Sequence, residues 1–453
     1  MGAASAVRVL EGCFWGLVVI ALTAVWGHSH TDGERFQVIT AAGVAVTVFG
    51  ARAFIGHGQG RITALGLFNL STALFVGFGA IYAGYTQESM VAPYYLLAAV
   101  MGAFVPQIAI TLFGWGKAGE VTPQYPAQVT NRWLFWAGLA ALGVAAAARF
   151  VSALTPFAPF IEATAFAAIT VITVALFWRQ RVRLLSWASI FTAGLVVMYA
   201  EVFHIGTGRL RIVALVCTVG VIISARFQRR ALKWLTIAAI GPALYWLAQD
   251  RKELQESLHA GASAGRNGLE SMLEPIQVFG KLIQAHLEHG FPLSYGLNLL
   301  SYPATFLPAS WFPDAPQALG YELVLIHAPE RYGSGYSVVA TSSGEAYFNF
   351  GVVGLVLMVP VLVFLLNLLD RAMVKRMSSP ASGTLALLGI VFWAMLAGGI
   401  ADLTWSGQHT LLTRASTRLP LLVVLAGMAW VHVRLATKAA PPVRRIPRVQ
   451  SAR

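Results

Sequence analysis

Long apolar runs separated by short basic clusters set the pattern of this chain. Twelve runs stand out, near residues 9–27, 38–55, 62–84, 91–113, 133–150, 156–178, 184–203, 210–225, 234–249, 347–369, 384–405 and 415–436. A bilayer core about 30 Å thick is crossed by roughly 20 residues of helix. Each run is therefore predicted to be a membrane-spanning helix. The first, from Cys13 to Gly27, lacks a small-residue cleavage site and reads as a span, not a removed signal.

One connection is unlike the others. Nearly a hundred residues, 250–346, separate the ninth run from the tenth, and loops of that size usually carry function. Inside it, Asn267 to Gly290 has helical periodicity. Leu269, Met272, Leu273, Ile276, Phe279, Ile283 and Leu287 oppose Glu270, Glu274, Gln277, Lys281 and Glu288. Pro275 is expected to bend this helix or end its first part. Such a helix either lies flat on a leaflet or packs on the bundle. An aromatic, Pro-rich stretch follows from Tyr295 to Pro316, then a Gly/Ser-rich turn region from His327 to Ser337.

Composition agrees with the pattern. The 453 residues are 57% hydrophobic and 11% charged, with a mean hydropathy of +0.67, against about 25% charged residues in a soluble domain. That excludes an ordinary cytosolic enzyme and a disordered chain. The net charge of +13 does not mark a nucleic-acid partner, because the basic residues lie in short clusters between apolar runs. With the N-terminus inside, 21 of the 32 Lys and Arg but only Glu11, Glu120 and Asp370 among the 19 acids fall on the cytoplasmic side. This asymmetry sets the expected orientation. Both termini are then cytoplasmic and the large loop is outside. The fold class expected is an all-α polytopic membrane protein of about 12 transmembrane helices with one large extracytoplasmic loop. Its parts are a nine-helix region (1–249), the loop (250–346), a three-helix region (347–436) and a basic tail (437–453) that meets anionic lipid.

Cys13 and Cys217 sit inside apolar runs, so neither a disulfide framework nor a structural zinc site is expected. No P-loop, no His-Glu-x-x-His and no close Asp pair opening an outer loop is present. The expectation is metal-independent chemistry with no cofactor.

Charged residues on the outer side invite explanation. Arg209 and Arg211 lie in a short outer connection with Glu201 and His204. Arg251 and Arg331 lie in the large loop, and Arg414 and Arg418 are one helical turn apart at the last span. Guanidinium groups stay charged and bind phosphate oxygens bidentately. They also snorkel to headgroups or pair with neighbouring acids. The plainer reading fits Arg149, Arg211 and Arg418 better; a phosphate or sugar site fits Arg209, Arg331 and Arg414 better. Glu345, at a membrane boundary, reads as a general base, as a partner organising Arg residues, or as a cap on its own helix. Asn349 follows one turn later and is placed to hold it. His327 is a possible acid or base, or simply a loop residue.

The tenth run opens with Gly344-Glu345-Ala346-Tyr347-Phe348-Asn349-Phe350-Gly351-Val352-Val353-Gly354. This segment resembles the signature of bacterial O-antigen and oligosaccharide repeat-unit polymerases (Wzy type), within the membrane glycan polymerase and O-antigen ligase superfamily. Thr207-Gly208-Arg209 is similar to the family's Gly/Ser-rich Arg motif, and Arg414 to its late Arg. The resemblance implies a GT-C-like fold in the bacterial cytoplasmic membrane. It implies transfer of a growing glycan from polyprenyl pyrophosphate onto an incoming lipid-linked repeat unit. Glu345, Arg331 and Arg414 would be catalytic. Arg209, Arg211, Arg251, His327, Asn349 and Arg418 would bind pyrophosphate or glycan. Membrane lipids, a chain-length regulator and a flippase are the implied partners. A ligase of the same fold is the alternative, although Ala328 follows His327 where the ligases carry His-Asn. A transporter or flippase is the third reading. Against it stand the absence of an internal repeat and the placement of most charges at run ends.

Overall fold

The structure is a computed structural model. It describes residues 3–115, 128–178, 182–203, 210–242, 245, 273–304, 317–333, 337–378 and 383–439. Within these residues all regular structure is helical, and nine helices are long and apolar enough to cross a membrane. The chain is an all-α polytopic membrane protein.

The helices fall where the apolar runs predict them. They are α1 (Ala3–Gly27), α2 (Asp32–Gly56), α3 (Ala64–Thr86), α4 (Pro93–Gly114), α5 (Gln128–Arg149), α6 (Ala158–Phe177), α7 (Trp187–Val202) and α8 (Leu210–Phe227). Then come α9 (230–242) and the loop helix α10 (Pro275–His289). The last three are α11 (Thr341–Ser378), α12 (Thr384–Ser406) and α13 (Gln408–Ala439). Three of the twelve predicted spans are helical without joining the nine. Helix α5 is diluted by Asn131, Arg132 and Arg149, α7 has only 16 residues, and most of the ninth run beyond α9 lies outside the described residues.

Two apolar cores hold the bundle. The larger packs α5, α6, α8, α12 and α13 with the later half of α11. Helix α6 is its post: every residue from Ala165 to Trp178 is buried, as expected of a helix apolar on all sides. Its buried Thr170 and Thr173 donate to the carbonyls of Phe166 (2.9 Å) and Ile169 (2.8 Å), so no hydroxyl is left unsatisfied. The smaller core packs α1, α2 and α4 against α10 and the first turns of α11. Between α3 and α4, Asn69 Oδ1 accepts from Gln107 Nε2 (3.1 Å) and Thr111 Oγ1 (2.9 Å). Such bonds bind helices where the hydrophobic effect between them is weak.

The amphipathic segment of the large loop is docked on the bundle. Ile276, Phe279 and Ile283 of α10 are buried in the smaller core. Pro275 occupies its first position and starts the helix rather than bending it, where the missing N–H costs nothing. Residues 267–272 lie outside the described residues.

Candidate functional site

The Gly344–Gly354 segment of α11 is a helix with a break. Phe350 (φ −140°, ψ 17°) and Gly351 (φ 60°, ψ −143°) leave helical geometry. A broken helix frees carbonyls that must find donors. The loop supplies them: the Phe348 and Asn349 carbonyls accept from the backbone N–H of Ser294 and Tyr295, both at 2.9 Å. Asn349 fastens the same joint from both ends of its amide. Its Oδ1 accepts from Gly296 N (3.1 Å) and its Nδ2 donates to the Glu345 carbonyl (2.8 Å). The fold also requires Gly354, since a Cβ there would lie 1.9 Å from the Ala346 carbonyl oxygen. The spacing of Asn, Gly and Gly in the motif is thus the geometry of a break that pins the large loop to α11.

Glu345, on the short helical piece before the break, is 2% exposed. Its Oε2 accepts from Gln408 N (2.6 Å), and the His409 N–H also points at the carboxylate. These are the first N–H groups of α13. Glu345 therefore caps the last helix, not its own, and places negative charge at the positive end of the α13 dipole. Gly407, at φ +87°, makes the approach possible: a Cβ there would be 2.4 Å from Glu345 Oε2.

The first turns of α13 carry the arginines. Arg414 pairs with Asp402 of α12, which is completely buried. Arg211, at the start of α8, pairs with Glu162 near the start of α6. Tyr199 of α7 donates to the same carboxylate from Oη at 3.1 Å. Arg418, 4% exposed, lays its guanidinium 3.6 Å from the centre of the Phe166 ring, a cation–π contact. Arg211, Arg414, Arg418 and Asp402 all act on one another electrostatically. The result is one cluster of three guanidiniums and two carboxylates drawn from α6, α8, α12 and α13. Asp402 Oδ2 and His409 Nε2 are buried without a hydrogen-bond partner among the described residues. The ring of Tyr302, from the large loop, meets His409 edge-on at 6.4 Å, so the loop reaches over the start of α13.

Other expected site residues lie elsewhere or outside the described residues. Arg331 is exposed on the short turn Pro329–Arg331, with Glu330 at 3.8 Å. His327 is half-buried with its side chain enclosed; its Nε2 lies 2.8 Å from Glu274 Oε1 and ties the loop to the start of α10. Arg209, Arg251 and His204 lie outside the described residues. The sequence reading did not single out Glu162 or Asp402 as partners of the arginines, nor Tyr199 at all. Two signals were there for the acids: a carboxylate inside an apolar run demands a partner, and Asp402 stands twelve residues before Arg414 with Gly407 between them to turn the chain.

No family model, curated protein or solved structure matches this chain.

Proposed function

We propose that this protein is a membrane glycosyltransferase that polymerises polyprenyl-pyrophosphate-linked oligosaccharide repeat units. The observation that carries the reading is the cluster of Arg211, Arg414 and Arg418, held at one end of the bundle beneath the loop-pinned motif of α11. Three clustered guanidiniums, Arg418 buried and Arg211 and Arg414 half-buried, are costly in a low-dielectric setting unless they serve an anion. Their two carboxylate partners leave one positive charge in excess. Arg418 has an aromatic face and no carboxylate in salt-bridge reach among the described residues. A diphosphate competes for these donors with Asp402 and Glu162.

In this reading the acceptor hydroxyl oxygen attacks the anomeric carbon of the growing glycan. The bond from that carbon to the pyrophosphate oxygen breaks, and polyprenyl pyrophosphate leaves with the electron pair. The guanidiniums stabilise the charge that develops there, the contribution usually largest in such transfers. The hydroxyl proton passes to Asp402, whose Oδ2 has no hydrogen-bond partner among the described residues. Glu345 is a positioning residue: it fixes the start of the helix that bears two of the arginines. The reading goes with twelve spans, a GT-C-like arrangement, the cluster on the outer face of the bacterial cytoplasmic membrane and the basic end in the cytoplasm. A chain-length regulator and a flippase are its expected partners.

The test is a reconstituted reaction. Purified protein receives lipid-pyrophosphate-linked repeat units without nucleotide sugar or divalent metal. A ladder of glycan lengths supports polymerisation. A single transfer to a second lipid makes the protein a ligase, and no product at all overturns the transferase reading.

A further inference from the structure

At the far end of α11 from Glu345, an open cavity of about 550 Å³ lies among the α2–α3 connection, the end of α8 and the end of α11. Its polar rim carries Arg61, Arg371, Lys375 and Asp370, and its walls include Val221 and Met377. The single acid on the lining offsets only part of this charge, since Asp370 acts electrostatically on Arg61 and on the neighbouring Lys233. Asp370 accepts from the Ala64 and Leu65 N–H groups at 2.7 and 3.4 Å and caps α3. Lys233, beside the rim, is likewise engaged: it is fully buried and donates to the Phe54 carbonyl at 2.8 Å, closing the end of α2.

The balance around the cavity is positive, with Arg61, Arg371, Lys375 and Lys233 against Asp370. Arg61 is 5% exposed, while Arg371 and Lys375 are exposed and stand one helical turn apart on the same face. Like charges at that spacing repel unless an anion lies between them. For His57, also on the lining, burial first and then the charges of Lys233 and Arg61 hold the imidazole down to about 4. The cavity therefore offers one buried and two exposed cations beside apolar walls. A cavity of this size is ample for a small ligand, and basic pockets between helices at the membrane rim suit phosphate-bearing headgroups.

We propose that this cavity binds a phosphate anion through Arg61, Arg371 and Lys375, the phosphate of an anionic phospholipid headgroup or of a soluble phosphate. The site is independent of the glycan-transfer reading, since it lies at the other end of α11.

The test uses the full chain, delipidated in neutral detergent. Phosphatidylglycerol, phosphatidylcholine and inorganic phosphate are titrated separately at fixed ionic strength. Retained ligand is read by native mass spectrometry, and protection by the thermal midpoint. The double variant Arg371→Gln, Lys375→Gln removes two exposed cations and leaves the packed residues alone. Arg376→Gln removes a neighbouring exposed charge that does not line the cavity. Phosphatidylglycerol is expected to bind at least tenfold more tightly than phosphatidylcholine and to raise the midpoint by several degrees. Both effects should be lost in the double variant and kept in Arg376→Gln. Equal protection by inorganic phosphate, also lost in the double variant, assigns the same site to a soluble phosphate. Equal losses in the double variant and Arg376→Gln mean a diffuse basic surface and overturn the proposal. So does an anion effect that is absent, or unchanged in the double variant.

Discussion

Replacing Glu345 separates positioning from chemistry. In Glu345→Ala, the Gln408 and His409 N–H groups lose their acceptor in a place that is 2% exposed to solvent. Each buried unsatisfied donor costs about 1–3 kcal/mol, and removing an anion from a helix N-terminus costs up to ~2 kcal/mol in partly buried geometry. A loss on the order of 3–5 kcal/mol is expected, large against a net stability of about 5–15 kcal/mol. Glu345→Gln keeps an oxygen to accept from Gln408 N and loses only the charge, so its loss should be about 1–2 kcal/mol. The assay pairs denaturant unfolding in detergent with the glycan ladder from the same preparations. Glu345→Gln should recover most of the product that Glu345→Ala loses, with an unchanged pH profile. A Glu345→Gln protein with near wild-type stability and no product would refute this reasoning, because the carboxylate would then act on the substrate itself.

Three further outcomes follow from the geometry. Arg414→Ala leaves the completely buried Asp402 without its cation, and breaking a buried pair this way should cost about 3–5 kcal/mol, visible as a lowered unfolding midpoint. Gly354→Ala puts a methyl group 1.9 Å from the Ala346 carbonyl oxygen. It should destabilise by at least about 1–3 kcal/mol and expose the segment around Ser294 and Tyr295 to faster hydrogen exchange. His57 stays neutral when folded until about pH 4, against an ordinary value of 6.5. The unfolded chain takes up that proton below pH 6.5 and the folded chain does not, so this group's contribution is lost as pH falls from about 6.5 to 4. The loss is up to ~3 kcal/mol, and His57→Gln should flatten that part of the stability profile.

The helices were legible because each buries a long apolar stripe, and a run such as Ala165–Trp178 has no other stable home than a helix inside a bundle. The site was legible only in pieces. Glu345 and Asn349 could be singled out from their spacing, but the target of Glu345 could not, since its partner lies 63 residues away at the start of another helix. The same holds for Arg211 and Glu162, which meet across 49 residues of chain. Arg414 and Arg418 share a face by periodicity alone, yet periodicity is silent on Phe166, which comes from the central post α6. His327 and Arg331 looked equivalent to the other loop candidates. Packing separates them: one is spent on Glu274 and the other is exposed beside Glu330. Pro275 was ambiguous because a proline that ends one helix is equally suited to begin the next.

The most direct test removes a charged pair as a unit. Asp402→Asn with Arg414→Gln deletes both charges together, which spares the fold the cost of one unpaired buried ion. The double variant is expected to unfold near the wild-type midpoint and, supplied with lipid-pyrophosphate-linked repeat units, to yield no ladder. A full ladder from that folded variant would contradict the claim that the guanidiniums of α13 hold the leaving diphosphate.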